Sequence, residues 1–226
     1  AMEEALRAAE AANNAKTRFL NNMSHDIRTP MNAIIGFTDI ALRQQPKAEV
    51  RSCLEKIKQS SSHLMSLIND VLDISRIESG KIEYKPVPVS ITEVIDTVVA
   101  VAHGFMENRN IEFVIDRNCP SNPYVMADAL RIRDVLINIL SNAVKYSSGD
   151  LAVSLMPDGA VTFSNSAPSL SRVQAERLFD RFYTVETARS STGLGLSIAK
   201  LLTEKMGGTI TAEYESGHLQ ICIAFL

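Results

Sequence analysis

Between Val50 and Val71 the apolar residues recur in alternating steps of four and three. They run Val50, Leu54, Ile57, Ser61, Leu64, Ile68 and Val71, with one polar member. A strand, with its period of two, scatters such a set over both faces, whereas a helix gathers it into one seam. Cys53, Leu67 and Ile74 widen that stripe. Upstream, Leu20, Met23, Ile27, Met31, Ile34, Phe37 and Ala41 follow the same three-and-four rhythm. Gln44-Gln45-Pro46-Lys47 breaks the two runs, and Ser79-Gly80 is a helix stop. The sequence therefore predicts two long helices, over about 5–44 and 48–78, joined in a hairpin. A hairpin cannot cover two apolar stripes alone. Two copies would form a dimeric four-helix bundle, or the hairpin would pack on the rest of its own chain, and periodicity leaves both open. Pro30 falls inside the first helix pattern, where its missing N–H predicts a kink.

Composition shifts near Gly80, which divides the chain into residues 1–80 and 81–226. The second part mixes helical and alternating patterns. Glu83–Val89, with Pro86 and Pro88, reads as an edge strand. Ser90–Met106 reads as a helix with Ser90 or Thr92 as its cap. Ile111–Asp116 and Tyr124–Ala127 read as strands, and Asp128–Tyr146 as a strong helix. Leu151–Met156 and Val161–Ser164 flank the turn Pro157-Asp158-Gly159. A helix over Ser171–Phe179, a polar loop over Arg181–Thr192 and a helix over Gly193–Met206 follow. Thr209–Glu215 and Leu219–Phe225 form a last hairpin around Ser216-Gly217. Such a mixture predicts a multidomain chain: an all-α hairpin followed by an α/β sandwich, one mixed sheet with helices on one face.

The charge balance is 23 basic against 26 acidic residues, so nucleic-acid binding is not the expected task. The three cysteines lie far apart with no CxxC pair, which fits a reducing compartment better than a disulfide framework. No apolar run reaches the roughly 18 residues of a membrane span, and the charged, alanine-rich start is no signal peptide. The expectation is a cytoplasmic segment without membrane contact. Ala1 ahead of Met2 reads as a residual tag residue on an expressed piece of a longer protein.

Three groups of residues carry chemistry. His25 stands beside Asp26 in Ser24-His25-Asp26-Ile27-Arg28-Thr29-Pro30. A neutral imidazole offers a nitrogen lone pair to a phosphoryl group, and an adjacent carboxylate can aid removal of its proton. A helix-surface histidine by itself is usually inert, and His63, His103 and His218 lack such neighbours. Asn138 and Asn142 are four apart, so they share a helix face, with Lys145 and Tyr146 at its end. Neutral oxygen ligands suit a magnesium ion that carries nucleotide phosphates, and lysine offers a point charge to phosphate oxygens. Finally, Thr192-Gly193-Leu194-Gly195-Leu196 opens a helix. Small residues there admit phosphates to backbone N–H groups, although this is neither a Walker loop nor a full G-x-G-x-x-G.

Taken in order, these segments resemble the catalytic core of the sensor histidine kinases of two-component signalling. Phe19 to Pro30 is similar to the family's H box, and Asp134 to Tyr146 to its N box. Leu178 to Tyr183 is similar to its F box, and Thr192 to Leu196 to its second glycine box. The resemblance implies a dimerisation and phosphotransfer hairpin, then an ATP-binding domain of the Bergerat type shared with gyrase, HSP90 and MutL. It implies His25 as phosphoacceptor, Asp26 as its polarising base and Thr29 as the residue that positions water for removing phosphate from a partner. Asn138 and Asn142 would hold magnesium and phosphates. Lys145 would contact phosphate and Tyr146 the ribose or adenine side. Gly193 and Gly195, with Thr192, Leu194 and Leu196 around them, would cradle the phosphates of ATP. The partners implied are a second copy of the chain and the receiver domain of a response regulator.

One stretch departs from the family. The first glycine box usually reads Asp-x-Gly-x-Gly, and its aspartate accepts from the adenine amino group. Here it is Asn165-Ser166-Ala167-Pro168-Ser169. Asn165 can still accept that bond without charge, while Ala167 and Ser169 add side chains where the backbone is usually bare. Retained but weaker nucleotide binding is expected. The part through Lys145 resembles members that carry receiver domains, and the part from Ser147 a shorter-lid subtype, which leaves a join near 146–150 open. A catalytically weak dimeric scaffold and a gyrase-type ATPase machine are the rival readings.

Overall fold

The computed structural model describes residues 27–80, 84–106, 110–117, 124–185 and 192–225. The chain divides into two compact units, Ala1–Ile82 and Glu83–Leu226.

In the first unit, residues 27–43 form helix α1 and Ala48–Glu78 form α2. Gln45, at φ 51°, lies in the connection at the expected break. Lys58 Nζ meets Asp39 Oδ1 at 2.8 Å, and Arg28 Nη2 donates to Asn69 Oδ1 at 3.1 Å. Two such cross-links at opposite sequence offsets make the pair antiparallel. Gly80 ends the unit's described part in the left-handed region at φ 65°, where a residue without Cβ is unstrained. Met31, Thr38, Ser61 and Leu72 are buried. The other members of the seam are not: Val50, Ile57 and Leu64 stay 50%, 46% and 43% exposed, and Phe37 on α1 71%. A single hairpin thus covers only part of its apolar stripe. Pro30 lies within the helix. The carbonyl it would fail to engage is that of Asp26, outside the described residues.

In the second unit, β1 (Val87–Ser90) pairs antiparallel with β3 (Tyr124–Ala127) in a small sheet of its own. The strand expected over Glu83–Val89 is therefore shorter and displaced toward its C-terminal end. Proline lacks the ladder donor, and Pro88 is accommodated because among the described residues β1 has a neighbour on one side only. Helix α3 (Ile91–Met106) begins where Ser90 Oγ accepts the Glu93 N–H at 3.3 Å, the expected cap. The main sheet has the order β2 (Glu112–Asp116), β4 (Asp150–Leu155), β5 (Val161–Ser166), β7 (His218–Ala224), β6 (Thr209–Glu215). Only β2 and β4 run parallel, and the long crossover that parallel pairing needs holds β3 and helix α4 (Ala129–Tyr146).

Strand alternation assigns the two faces. Leu151, Val153, Leu155, Val161, Phe163, Leu219, Ile221 and Ile223 are buried on one face, together with Asn165. Ala152, Ser154, Ser164 and Gln220 point the other way. Helix α4 packs between α3 and α6 (Gly195–Lys205) and onto β5. Its buried residues Ile132, Val135, Leu136, Ile139, Leu140, Ala143 and Val144 recur at three and four, so it is the centre of the core. Burying one such side chain is worth about 1.5–3 kcal/mol.

Two helices differ from expectation. The one expected over Ser171–Phe179 is α5 (Arg172–Glu176), a single capped turn. Beyond it the N–H groups of Arg177, Leu178 and Asp180 bond three residues back, which tightens the chain into successive turns. The helix expected from Gly193 starts at Gly195, because Gly193 sits at φ 67°. Strand β5 runs two residues past the expected Ser164 because Asn165 and Ser166 pair with Leu219 and His218.

Tyr84 packs near the start of α4. Its hydroxyl is buried and meets no hydrogen-bond partner among the described residues. Burial raises its pKa above the ordinary value, Arg131 opposes the rise and Asp128 adds to it. The folded chain therefore keeps a phenol proton that the unfolded chain releases near pH 10. Stability is present below that pH and falls as pH rises above it. Tyr84→Phe is expected to leave the melting temperature at pH 7 unchanged or raised and to flatten its alkaline decline. Melting curves between pH 7 and 11 check this; an equal decline in both proteins would refute it.

Candidate functional site

Helix α4 is launched by Asp128, whose Oδ1 accepts from the N–H groups of Leu130 at 3.0 Å and Arg131 at 3.3 Å. Its apolar stripe faces the core, which leaves Asn138, Asn142 and Lys145 along one edge, half-buried, with Tyr146 beside them at the C-terminal end. The Lys145 Nζ lies 5.8 Å from the centre of the Tyr146 ring.

The glycine segment meets this edge directly. A Cβ placed on Gly195 would lie 3.6 Å from Asn138 Oδ1, so the first residue of α6 sits against the first asparagine of α4. Thr192 Oγ1 accepts the Leu194 N–H at 3.2 Å, and Ser197 Oγ donates to the Leu194 carbonyl at 2.8 Å. Leu194 and Leu196 are buried and anchor the helix start in the core. The backbone N–H groups of the first turn of α6 thus open beside Asn138, the arrangement that favours an anion.

Gly193 has a second requirement that spacing did not reveal. A Cβ there would stand 2.7 Å from the Phe182 carbonyl carbon and 2.8 Å from the Tyr183 oxygen. The Gly193 carbonyl accepts the Phe182 N–H at 3.0 Å. Phe182 itself adopts φ 61° to make this contact and leaves its ring exposed. The turn is stapled on both sides. Arg177 lies 4.5 Å over the Tyr183 ring and reaches Asp180 Oδ2 at 3.1 Å, while Lys200 of α6 lies 5.6 Å over Phe179. The resemblance marks Leu178 to Tyr183 as a motif; the contact of Phe182 and Tyr183 with Gly193 is a feature of the fold.

Asn165 is 2% exposed on the inner face of β5, the strand on which α4 packs. Its Nδ2 donates to the Ser166 carbonyl at 3.3 Å. Ala167 is buried in the following turn: its N–H donates to the Gly217 carbonyl at 2.8 Å, and its own carbonyl accepts the Tyr214 hydroxyl at 3.2 Å. Ser169 is exposed. The fold thus sets the start of α6 against α4 and packs α4 on β5, the strand that carries Asn165. Thr29 lies in the first unit on α1. His25 and Asp26 lie outside the described residues.

Residues 15–80 match the model of the His Kinase A (phospho-acceptor) domain, and residues 127–224 that of the histidine kinase-, DNA gyrase B-, and HSP90-like ATPase. The chain belongs to the histidine kinase family. Among curated histidine kinases and relatives, it is 36% identical over 223 residues to the virulence sensor protein BvgS of Bordetella pertussis. That match takes 92% of this chain and 18% of BvgS. It is 34% identical over 229 residues to the sensory/regulatory protein RpfC of Xanthomonas campestris pv. campestris, with 93% of this chain and 31% of RpfC covered. The chain therefore spans less than a third of either relative. The crystal structure of full-length ShkA in complex with AMPPNP superposes with a TM-score of 0.73 at 30% identity, over 92% of this chain and 46% of that one. Among the described residues no helix is long and apolar enough to cross a membrane.

Proposed function

We propose that the chain is an ATP-dependent, autophosphorylating protein-histidine kinase core that passes its phosphoryl group from His25 to an aspartate of a response regulator receiver domain, and that also removes it with the help of Thr29. Residues 1–80 serve as the dimerisation and phosphotransfer domain, and residues 81–226 as the ATP-binding domain. The observation that carries this reading is the meeting of Gly195 with Asn138, which joins the start of α6 to the asparagine edge of α4.

The triphosphate binds across that junction. The N–H groups of the α6 first turn and the Lys145 ammonium take phosphate oxygens, and Gly193 and Gly195 keep the approach clear. Tyr146, at the end of α4, lies on the ribose or adenine side, and Asn165 accepts from the adenine amino group. Among the described residues no group of three His, Cys, Asp or Glu comes together. A donor set of two amide oxygens suits an ion that brings phosphate ligands of its own. Asn138 and Asn142 would hold that magnesium ion, which when bound would supply charge neutralisation at the phosphoryl group. Asp26 takes the imidazole proton as the His25 nitrogen attacks the γ-phosphorus in line with its bond to the β–γ bridging oxygen, which breaks and leaves with ADP. The exposed half of the α2 seam supports a homodimer through the two helices, and outward residues below His25 on both helices receive the regulator.

The test is incubation with magnesium and γ-labelled ATP. An acid-labile, alkali-stable label is expected, and its loss in His25→Ala. Label retained by His25→Ala would overturn the assignment of the acceptor. No label together with no ATP binding would overturn the kinase reading.

A further inference from the structure

The asparagine at position 165 raises a problem that an aspartate would not. A carboxylate accepts from either oxygen, so its orientation is immaterial. A primary amide accepts at one end and donates at the other. Adenine presents an amino donor where guanine presents a carbonyl acceptor, so a freely turning amide would receive either base. Asn165 must be held with its oxygen toward the ligand.

Residues at the exit of α4 provide the hold. The paired register of β4 and β5 ends at Leu151 opposite Asn165. One step further, the Ser166 N–H donates to Asp150 Oδ1 at 2.8 Å. The Ser166 carbonyl accepts the Ser148 N–H at 2.9 Å and the Asn165 Nδ2 at 3.3 Å. Asp150 is itself fixed: its carbonyl accepts Ser147 Oγ at 2.5 Å, and its Oδ2 lies 3.6 Å from His218 Nε2. Both backbone groups of Ser166 are thus tied to residues 148–150, and the donor end of the Asn165 amide is tied to Ser166.

From this chain we infer that Asp150 is a positioning residue for base selection, acting through Ser166 on the Asn165 amide. The inference rests on the nucleotide-site reading above. Without the carboxylate, Ser166 loses one of its two ties, the amide turns, and the preference for adenine over guanine falls.

Titration calorimetry of the full chain with ATP and with GTP, alongside autophosphorylation kinetics, tests this. Asp150→Ala is expected to reduce the ATP-to-GTP preference about tenfold, through Kd and KM for ATP rather than kcat, the scale of one misplaced hydrogen bond. Asp150→Asn keeps an acceptor for the Ser166 N–H and is expected to retain most of the preference. Asn165→Asp in the Asp150→Ala background is expected to restore it, because a carboxylate needs no orientation. Asp150→Ala with unchanged preference would overturn the role of Asp150 while leaving the kinase reading intact. So would a preference that Asn165→Asp fails to restore. A parent chain that bound neither nucleotide would overturn the nucleotide site itself and this inference with it.

Discussion

Gly193→Ala is expected to abolish most of the kinase activity, a fall of at least about 100-fold in kcat/KM for ATP, which is what an ångström-scale misplacement of a site can cost. Two effects combine. Alanine in the left-handed region costs about 1–2 kcal/mol. Its Cβ would also stand 2.7 Å and 2.8 Å from backbone atoms of Phe182 and Tyr183, which cannot swing aside as a long side chain can. The Phe182 N–H bond to the Gly193 carbonyl must then open, and the start of α6 moves off the asparagine edge. Gly207 is the control. It sits at φ 80°, yet nothing lies within 4 Å of its added Cβ. Gly207→Ala should carry the backbone cost alone and keep its activity. Parallel label-transfer rates and melting curves decide between them. If Gly193→Ala and Gly207→Ala behaved alike, the clamp would have no functional weight.

Paired substitution of Ile57 and Leu64 by aspartate is expected to convert a dimer into a monomer. The two residues are one heptad apart on α2, and each is nearly half exposed in a lone hairpin. In a four-helix bundle they would be covered, and a carboxylate in such a seam costs several kcal/mol unless paired. Two of them at each of two symmetry-related positions would raise the dimer dissociation constant by more than about 1000-fold, since every 1.4 kcal/mol is tenfold. Sedimentation equilibrium reads the result. A parent chain already monomeric at micromolar concentration, or a double variant that remained dimeric, would remove this face from the interface. Nucleotide binding by the second unit should be unaffected.

The elements that the sequence made legible are those with an unbroken period. The α2 seam, the α4 stripe and the two late hairpins follow from spacing and turn chemistry, the Ser90 and Ser171 hydroxyls cap helix starts, and Gly80, without a Cβ, takes the left-handed turn after α2. Misreadings arose where the decisive partner is remote. Helix α5 stops after one turn because of turns and ring contacts around Arg177, and β5 runs on to Ser166 because β7 extends with it. The asparagine edge of α4 could be read from a spacing of four. The Phe182 contact with Gly193 and the Asp150 contact with Ser166 could not, since each joins segments that no periodicity relates.

The five-stranded sheet is open, with β2 and β6 at its borders. Each border presents a row of backbone groups that a neighbouring chain could copy, a hazard that grows when a hairpin gathers two sheets on one assembly. Both borders carry acids at exposed positions: Glu112 and Asp116 on β2, Glu213 and Glu215 on β6. A border laid against another would bring these like charges near each other. These acids disfavour edge-to-edge pairing of one ATPase unit with another.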